Sequence, residues 1–263
     1  PYAPIPVAHL WRYDPETVED CIRPALRQAL DIMESIPSFR FSIGGVPLLE
    51  PISLRYPELW KEALAAFKKG QLGLTGASFT RFCGLGPCGE TLIRLFLYGK
   101  SFWKESLGLE VKTCWLVRAA GLPATLPAIL RGCGIEVCYM GKQAPFPIFL
   151  WKAPSGESIT AVRLREATTS DEVISLAGSK SSGDPFLVAL PSREHGGGLT
   201  KDLVKALADG LTTKGFKVSF ATASSATRLL KEKKALPVFE GRFDSSAPGM
   251  ATTLGKVKNA NRT

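Results

Sequence analysis

Hydrophobic positions along the chain alternate between helical spacing and short unbroken runs. The four residues Cys114–Val117 are all apolar, which indicates a strand that is covered on both faces. A helical stripe precedes this run and consists of Leu92, Phe96, Phe102, Trp103 and Leu107. A second helix begins near Pro123 and ends in glycine. Residues 83–135 therefore predict the order loop, helix, strand, loop and helix.

The same alternation extends over the rest of the chain. Further strands are predicted at Phe39–Ile43, Leu72–Ser78, Ile135–Tyr139, Pro185–Leu190 and Lys217–Phe220. Two apolar runs, Phe149–Trp151 and Ile159–Leu164, flank Ala153-Pro154-Ser155-Gly156 and indicate a hairpin. Strand–helix repeats of this kind predict a mostly parallel sheet, open or closed into a barrel.

Helix start and stop residues set the other predicted helices. Asp14 and Pro15 begin an apolar stripe that continues to Met33, and Pro24 inside it predicts a kink or an early break. The remaining predicted helices run from Pro57 to Gly70, from Thr169 or Ser170, from Thr200, and from Ser224 to Lys233.

The length of 263 residues fits one large α/β domain with its own core. No run of roughly 18 apolar residues occurs, which argues against a transmembrane helix. The sequence begins with Pro1 rather than Met. We expect either that a presequence has been removed or that the sequence begins within a longer protein.

The net charge is +9, with basic clusters at Lys231, Lys233 and Lys234 and at Lys256, Lys258 and Arg262. A solvated basic surface is the preferred interpretation. The alternative is contact with an acidic partner, which could be RNA, a membrane surface or an acidic protein subunit. The chain has no motif of interleaved aromatic and basic residues that would favour nucleic acid.

Six cysteines are present: Cys21, Cys83, Cys88, Cys114, Cys133 and Cys138. Their spacings differ from the tighter pairs of structural zinc sites, and the only histidines are His9 and His195. Metal binding and a disulfide framework are therefore both disfavoured. Cys114 and Cys138 fall in apolar runs, where we expect buried core thiols.

The central stretch resembles the catalytic domain of glycoside hydrolase family 38, the alpha-mannosidases. The resemblance is carried by GETLIRLFLYGKSFWKESLGLEVKTCWL and by GLPATLPAILRGCGI. It continues in order through AHLWRYDPETVEDC near the start, Arg40-Phe41-Ser42, Tyr56-Pro57-Glu58-Leu59, Gly196 to Thr200 and Thr252 to Arg262. It thus covers nearly the whole chain.

This resemblance implies an α/β fold with an incomplete seven-stranded (β/α) barrel. The barrel would occupy residues 1–246, and residues 247–263 would be the start of the family's helical middle domain or a tail. The resemblance also implies a zinc cofactor and a carboxylate nucleophile. Retaining glycoside hydrolysis requires that nucleophile and a second carboxyl group about 5–5.5 Å away.

Each of these groups can be placed on this sequence by its position in the family's motifs. The His-x-Asp metal ligands fall on Pro4 and Pro6, and the nucleophilic Asp of Trp-Leu-Pro-Asp falls on Arg118. Proline has no side-chain donor atom, and a guanidinium stays protonated and repels a cation.

Two further family positions also carry other residues. The Asp that follows the family's Gly-Gly…Trp-Val-Glu strand falls on Cys83, with Arg81 where the Glu would be, and the late His falls on Ala247. A shifted alignment could bring His9 to one ligand position, but it cannot restore the Asp pair. The resemblance therefore predicts no catalytic residues, no metal and no zinc cofactor here.

A weaker candidate is an anion site formed by Arg81, Arg118 and His195 with the backbone of Gly196 and Gly197. The family has a glycine-rich loop at this place for structural reasons. A structural role for the loop is therefore the preferred interpretation.

These observations favour a catalytically inactive mannosidase-like domain that serves as a structural or interaction subunit of a larger assembly. One alternative is an alpha-mannosidase-type hydrolase with a rearranged or partner-completed active site. Another is a module that binds a carbohydrate or an anion without turnover. The interior of an organelle fits a removed presequence and positive charge, although the sequence leaves the compartment open.

Overall fold

The computed structural model describes residues 15–80, 84, 86–117, 119, 121–167, 171–173, 175, 188–189, 200–213, 219–230 and 235–243. Its helices are α1 Pro15–Ser35, α2 Val46–Arg55, α3 Pro57–Lys68, α4 Gly89–Leu107, α5 Leu126–Gly132, α6 Lys201–Thr213 and α7 Ala223–Leu230. Its strands are β1 Phe41–Ile43, β2 Leu72–Leu74, β3 Thr113–Leu116, β4 Val137–Met140, β5 Ile148–Lys152, β6 Ser158–Arg163, β7 Arg165–Glu166, β8 Val188–Ala189 and β9 Val238–Glu240.

The chain divides into two compact units, and each unit is made from two separate segments. The first unit contains Pro1–Thr75 and Arg165–Ala226, and the second contains Gly76–Leu164 and Thr227–Thr263. In the first unit β1 pairs in parallel with β2, and β7 pairs in parallel with β8. Helices connect β1 to β2, which is the right element order for a β/α fold.

The second unit contains a five-stranded sheet with the order β3-β4-β6-β5-β9. The first three strands of this order are parallel, and Cys114 of β3 lies opposite Cys138 of β4. The predicted hairpin is confirmed, because β5 pairs antiparallel with β6. Strand β9 adds to β5 in parallel.

Helix α4 shows how the sequence pattern becomes packing. Its buried positions, Leu92, Phe96, Gly99 and Trp103, recur every three to four residues, as an amphipathic helix requires. A Cβ at Gly99 would collide with the Ala77 carbonyl oxygen, so only glycine allows this approach of helix and backbone. Each large apolar side chain buried on such a face contributes about 2–3 kcal/mol to folding.

Helices α6 and α7 begin at side-chain caps. The Leu203 amide donates to the Thr200 hydroxyl (3.1 Å), which confirms the predicted start of α6. At α7 the Ser225 amide donates to Thr222 Oγ1 (3.3 Å), and the Thr222 amide donates to Ser225 Oγ (2.9 Å). This reciprocal pair acts as a capping box with serine in the place of glutamate.

Several elements differ from the sequence prediction. Helix α1 continues through Pro24, so an early break is wrong. Helix α2 was not predicted, because Pro47 and Pro51 obscure its apolar face. The short strands β7 and β9 were also missed, and β2 ends at Leu74 rather than Ser78.

Other predictions fall partly or wholly outside the described residues. They concern the Asp14 cap and the helix predicted from Thr169 or Ser170. Of the predicted strand Lys217–Phe220, only Ser219 and Phe220 are described, and they are not in a strand. Within the described part of the chain, no helix is both long enough and apolar enough to cross a membrane.

Candidate functional site

The carboxyl ends of parallel strands are where α/β enzymes usually place their chemistry. In the second unit the parallel strands β3, β4 and β6 end at Leu116, Met140 and Arg163. The residue after each strand is Val117, Gly141 and Leu164. None of these six described residues carries a carboxylate. The only charged side chain among them is the guanidinium of Arg163.

The segment after β3 is held at both of its ends. The Ala119 amide donates to the Leu116 carbonyl (3.1 Å), which forms a turn directly after the strand. Leu122 and Phe243 exchange two backbone hydrogen bonds of 2.7 and 2.9 Å. Gly121, which directly precedes Leu122, has φ +60°, a left-handed conformation that glycine adopts without strain. Position 118 lies within this segment.

The loop before α4 touches the segment after β3. A Cβ at Gly84 would lie 2.7 Å from the Gly121 carbonyl oxygen and 2.8 Å from Cδ of Pro123, which is too close for any side chain. Gly84 and Gly121 therefore let two backbones meet. These are the loops that carry positions 83 and 118, at which the family resemblance predicts acidic residues.

The candidate site residues named from the sequence lie outside the described residues. They are Pro4, Pro6, Arg81, Cys83, Arg118, His195, Gly196, Gly197 and Ala247. The loss of catalytic groups at five of these positions, and an anion site at Arg81, Arg118 and His195, stay predictions. Among the described residues, no cluster of three or more His, Cys, Asp or Glu side chains could hold a metal ion.

Sequence reasoning missed Arg163, which stands at the carboxyl end of β6. Its Nη1 donates to the Ala144 carbonyl (3.1 Å) and more weakly to the Pro145 carbonyl (3.5 Å). Its backbone amide donates to the Pro147 carbonyl (2.9 Å). Arg163 thus fastens the loop after β4 to β6. The sequence signal that could have identified Arg163 is a charged residue at the end of an apolar strand.

The described thiols of the second unit differ in the direction in which their pKa is shifted. Cys114 and Cys138 are buried free thiols, as predicted from their apolar runs. Burial raises the pKa of both, and the nearby thiol of Cys138 raises the pKa of Cys114 further. Burial also raises the pKa of Cys133. These three thiols are therefore neutral at physiological pH.

Cys88 lies at the N-cap of α4 and behaves differently. Its Sγ is 3.3 Å from the hydroxyl of Thr91. This hydrogen bond is the main reason why the pKa of Cys88 is lowered, and the Thr91 and Glu90 amides add to the effect. Donors at a helix N-terminus stabilise a thiolate because they carry partial positive charge.

One buried polar pair links β4 to the C-terminal segment of the second unit. The Tyr139 hydroxyl lies 3.1 Å from Oγ1 of Thr227. Burial raises the pKa of Tyr139 to about 12, although the bond to Thr227 acts in the opposite direction. Tyr139 is therefore a neutral hydrogen-bonding group and not a proton-transfer group at physiological pH.

Comparison with known proteins identifies relatives along most of the chain. Residues 1–228 match the family profile described as Glycosyl hydrolases family 38 N-terminal domain. The chain is 32% identical to alpha-mannosidase 2C1 of Homo sapiens over 162 residues, which are 59% of this chain and 15% of that protein. It is 26% identical to alpha-mannosidase G of Dictyostelium discoideum over 243 residues, 86% of this chain and 22% of that protein. The chain thus spans about a fifth or less of these relatives.

Solved structures share the fold at lower identity. An alpha-mannosidase from Enterococcus faecalis has a TM-score of 0.69 at 14% identity, covering 84% of this chain and 28% of that chain. A 4-alpha-glucanotransferase from Thermococcus litoralis has a TM-score of 0.70 at 20% identity, covering 87% and 39%. These likenesses and the parallel strand pairs confirm the α/β fold class of the incomplete barrel. The chain belongs to the glycosyl hydrolase family 38 N-terminal domain family.

Proposed function

We propose that this chain is a catalytically inactive mannosidase-like domain that acts as a structural or interaction subunit of a larger assembly. One observation carries the proposal. The family's metal ligands and acidic residues fall on Pro4, Pro6, Cys83, Arg118 and Ala247, and none of these side chains can do the same chemistry.

Arg118 is the most telling of these replacements. A carboxylate at that position would both attack the sugar and bind zinc, whereas a guanidinium is cationic and has no acceptor atom. A slipped alignment is a poor explanation, because Trp115-Leu116 and Leu126-Pro127 bracket the position closely. The described strand ends Leu116, Met140 and Arg163, which lack carboxylates, support the same conclusion.

The packing of the described core supports a scaffold role. The β/α core is well packed, since Phe96, Trp103, Tyr139 and Trp151 are all almost completely buried. If such a subunit has an acidic partner, a protein or RNA, the net charge of +9 would complement it.

The test is to isolate the native protein from its source under mild conditions and to measure its mass, its companions, its zinc content and its hydrolysis of an aryl mannoside. We expect co-purification with other subunits in a large complex, no bound zinc and no hydrolysis. A free monomer with zinc and chelator-sensitive hydrolysis would instead show an active hydrolase with a rearranged site.

A further inference from the structure

A short segment of the second unit, residues 237–243, contacts two other parts of that unit, and we call it the strap. At its start, β9 pairs in parallel with β5, and Val238 lies opposite Leu150. At its end, Phe243 exchanges two backbone hydrogen bonds of 2.7 and 2.9 Å with Leu122, in the segment after β3. The strap therefore joins β5 to the segment that contains position 118.

The two ends of the strap share one aromatic cluster. The ring of the buried Phe243 stacks on the ring of Phe239, with the centroids 4.8 Å apart. The Phe243 ring also lies 5.0 Å from the ring of Trp151, in an edge-to-face contact. The indole N–H of Trp151 donates to the Gly241 carbonyl (2.9 Å). Because these contacts connect β9 to Phe243, we expect the two ends of the strap to dock and to leave together.

Gly241 gives the strap the bend that brings Phe239 and Phe243 together. Its φ is +149°, a conformation that residues with a side chain rarely adopt. A Cβ at this position would also lie 3.1 Å from Cζ of Phe239. Any substitution of Gly241 therefore strains the backbone and presses on the ring that Phe243 packs against.

The strap buries little surface of its own. Phe243 is its buried residue, whereas Val238 is 54% exposed and Glu240 is exposed as well. Strand β9 pairs with β5 over three residues, whereas β5 pairs with β6 over five. Elements with few buried apolar contacts and solvent-exposed backbone hydrogen bonds open at a lower free energy than the core does.

We propose that the strap opens as a unit while β3, β4, β6 and β5 stay paired, and that its opening releases the segment after β3. When the strap leaves, Leu122 loses both of its hydrogen bonds to Phe243. The strap thus controls the conformation of the sheet edge at which the family resemblance places the nucleophile. The proposal concerns backbone and ring contacts, so it holds whether the chain is an inactive scaffold or an active hydrolase.

The test is native-state hydrogen exchange of the full chain at low urea concentrations, resolved to single amides. After correction for intrinsic rates, we expect the Leu122 and Phe243 amides to exchange at the same rate. This rate should be at least about tenfold higher than that of the Cys138 amide in β4, which lies between β3 and β6. A Leu122 amide that is protected as strongly as Cys138, or that exchanges at a rate unrelated to that of Phe243, would overturn the proposal.

Gly241→Ala should increase the exchange of both the Leu122 and the Phe243 amides by about tenfold or more, and should leave Cys138 unchanged. Phe243→Leu is a second variant, which removes the ring stack but keeps an apolar side chain. Faster exchange at Phe243 without a change at Leu122 would show that the strap does not control the segment after β3.

The matched control is Phe102→Ala, which removes a ring that packs on Trp103 within α4 of the same unit. We expect it to leave the ratio of the Leu122 and Cys138 exchange rates unchanged. An equal change of this ratio in the control and in the strap variants would reduce the effect to overall stability and reject the strap as a separate opening unit. Circular dichroism melting verifies that the variants fold, and the wild-type rates decide the question if they do not.

Discussion

The buried hydroxyl of Tyr139 makes the stability of the folded protein depend on pH. Because its pKa rises from 10 in the unfolded chain to about 12 in the folded protein, the folded state holds its proton more firmly. Its contribution, up to about 3 kcal/mol, is fully present below pH 10 and is lost as the pH rises toward 12. Urea unfolding between pH 8 and pH 11 measures this loss.

Tyr139→Phe is the matched variant, since it removes only the hydroxyl. We expect it to cost about 1 kcal/mol at pH 8 through the lost bond to Thr227, and to show a flatter decline above pH 10. If wild type and variant decline in parallel above pH 10, the hydroxyl of Tyr139 is not the titrating group.

The four described thiols should react in a definite order. We expect iodoacetamide at pH 7.5 to modify Cys88 well before Cys133, Cys114 and Cys138, because its lowered pKa increases the thiolate fraction. Peptide mass spectrometry over a time course measures the order. Early modification of Cys114 or Cys138 would contradict their burial in the folded protein.

Gly99 sets the distance between α4 and the segment 77–79. We expect Gly99→Ala to lower the free energy of unfolding by about 3 kcal/mol, because the added methyl group meets backbone atoms of Ala77 and Phe79 that cannot rotate away. Urea denaturation of the variant measures this cost.

Gly132→Ala in α5 is the control for the intrinsic effect of alanine in a helix. A Cβ at Gly132 has no atom within 4 Å, so this variant should stay within about 1 kcal/mol of wild type, on the stabilising side. Similar costs for both variants would show that α4 can move away from the backbone beneath it.

At the scale of elements, hydrophobic periodicity predicted the helices and strands whose apolar pattern is long or regular. Helices α1, α3 and α4 and the hairpin of β5 with β6 follow directly from their apolar spacing. Short elements were missed for a physical reason. Three residues of β9 become a strand only because they pair with β5, a partner far away in the sequence.

At the scale of the whole molecule, restoring the zinc ligands tests the inactive-domain proposal most directly. A variant with Pro4→His, Pro6→Asp, Arg118→Asp and Ala247→His restores the four zinc ligands that the family resemblance assigns. We expect it to retain about one zinc ion per chain after gel filtration, whereas wild type retains none. Elemental analysis of the eluted protein measures the metal.

The control variant keeps Arg118 and changes the other three positions. It should hold zinc more weakly, because one ligand is missing and a cation stands in its place. Stoichiometric zinc in the wild-type chain would overturn the assignment of lost ligands.

The candidate site residues come only from the family resemblance, and they stay predictions because they lie outside the described residues. Periodicity alone predicts a buried strand over Cys114–Val117, but it does not say that position 118 should carry a nucleophile. The contact of Gly84 with Gly121 was not predictable either, because a close approach of two loops leaves no periodic signal. Arg163 was missed because its hydrogen bonds go to backbone carbonyls of another loop.

The two-segment construction of each unit has a consequence for biosynthesis. Lys152 of β5 and Glu240 of β9 are 88 positions apart in the chain, and both compact units include late segments. At 5–20 residues per second, the ribosome adds that stretch in roughly 5–20 s. During this interval the nascent chain carries an unpaired β5 edge and the uncovered indole of Trp151. Because exposed apolar surface and unpaired strand edges promote aggregation, we expect the newly made chain to be most prone to aggregation before residue 243 has been added.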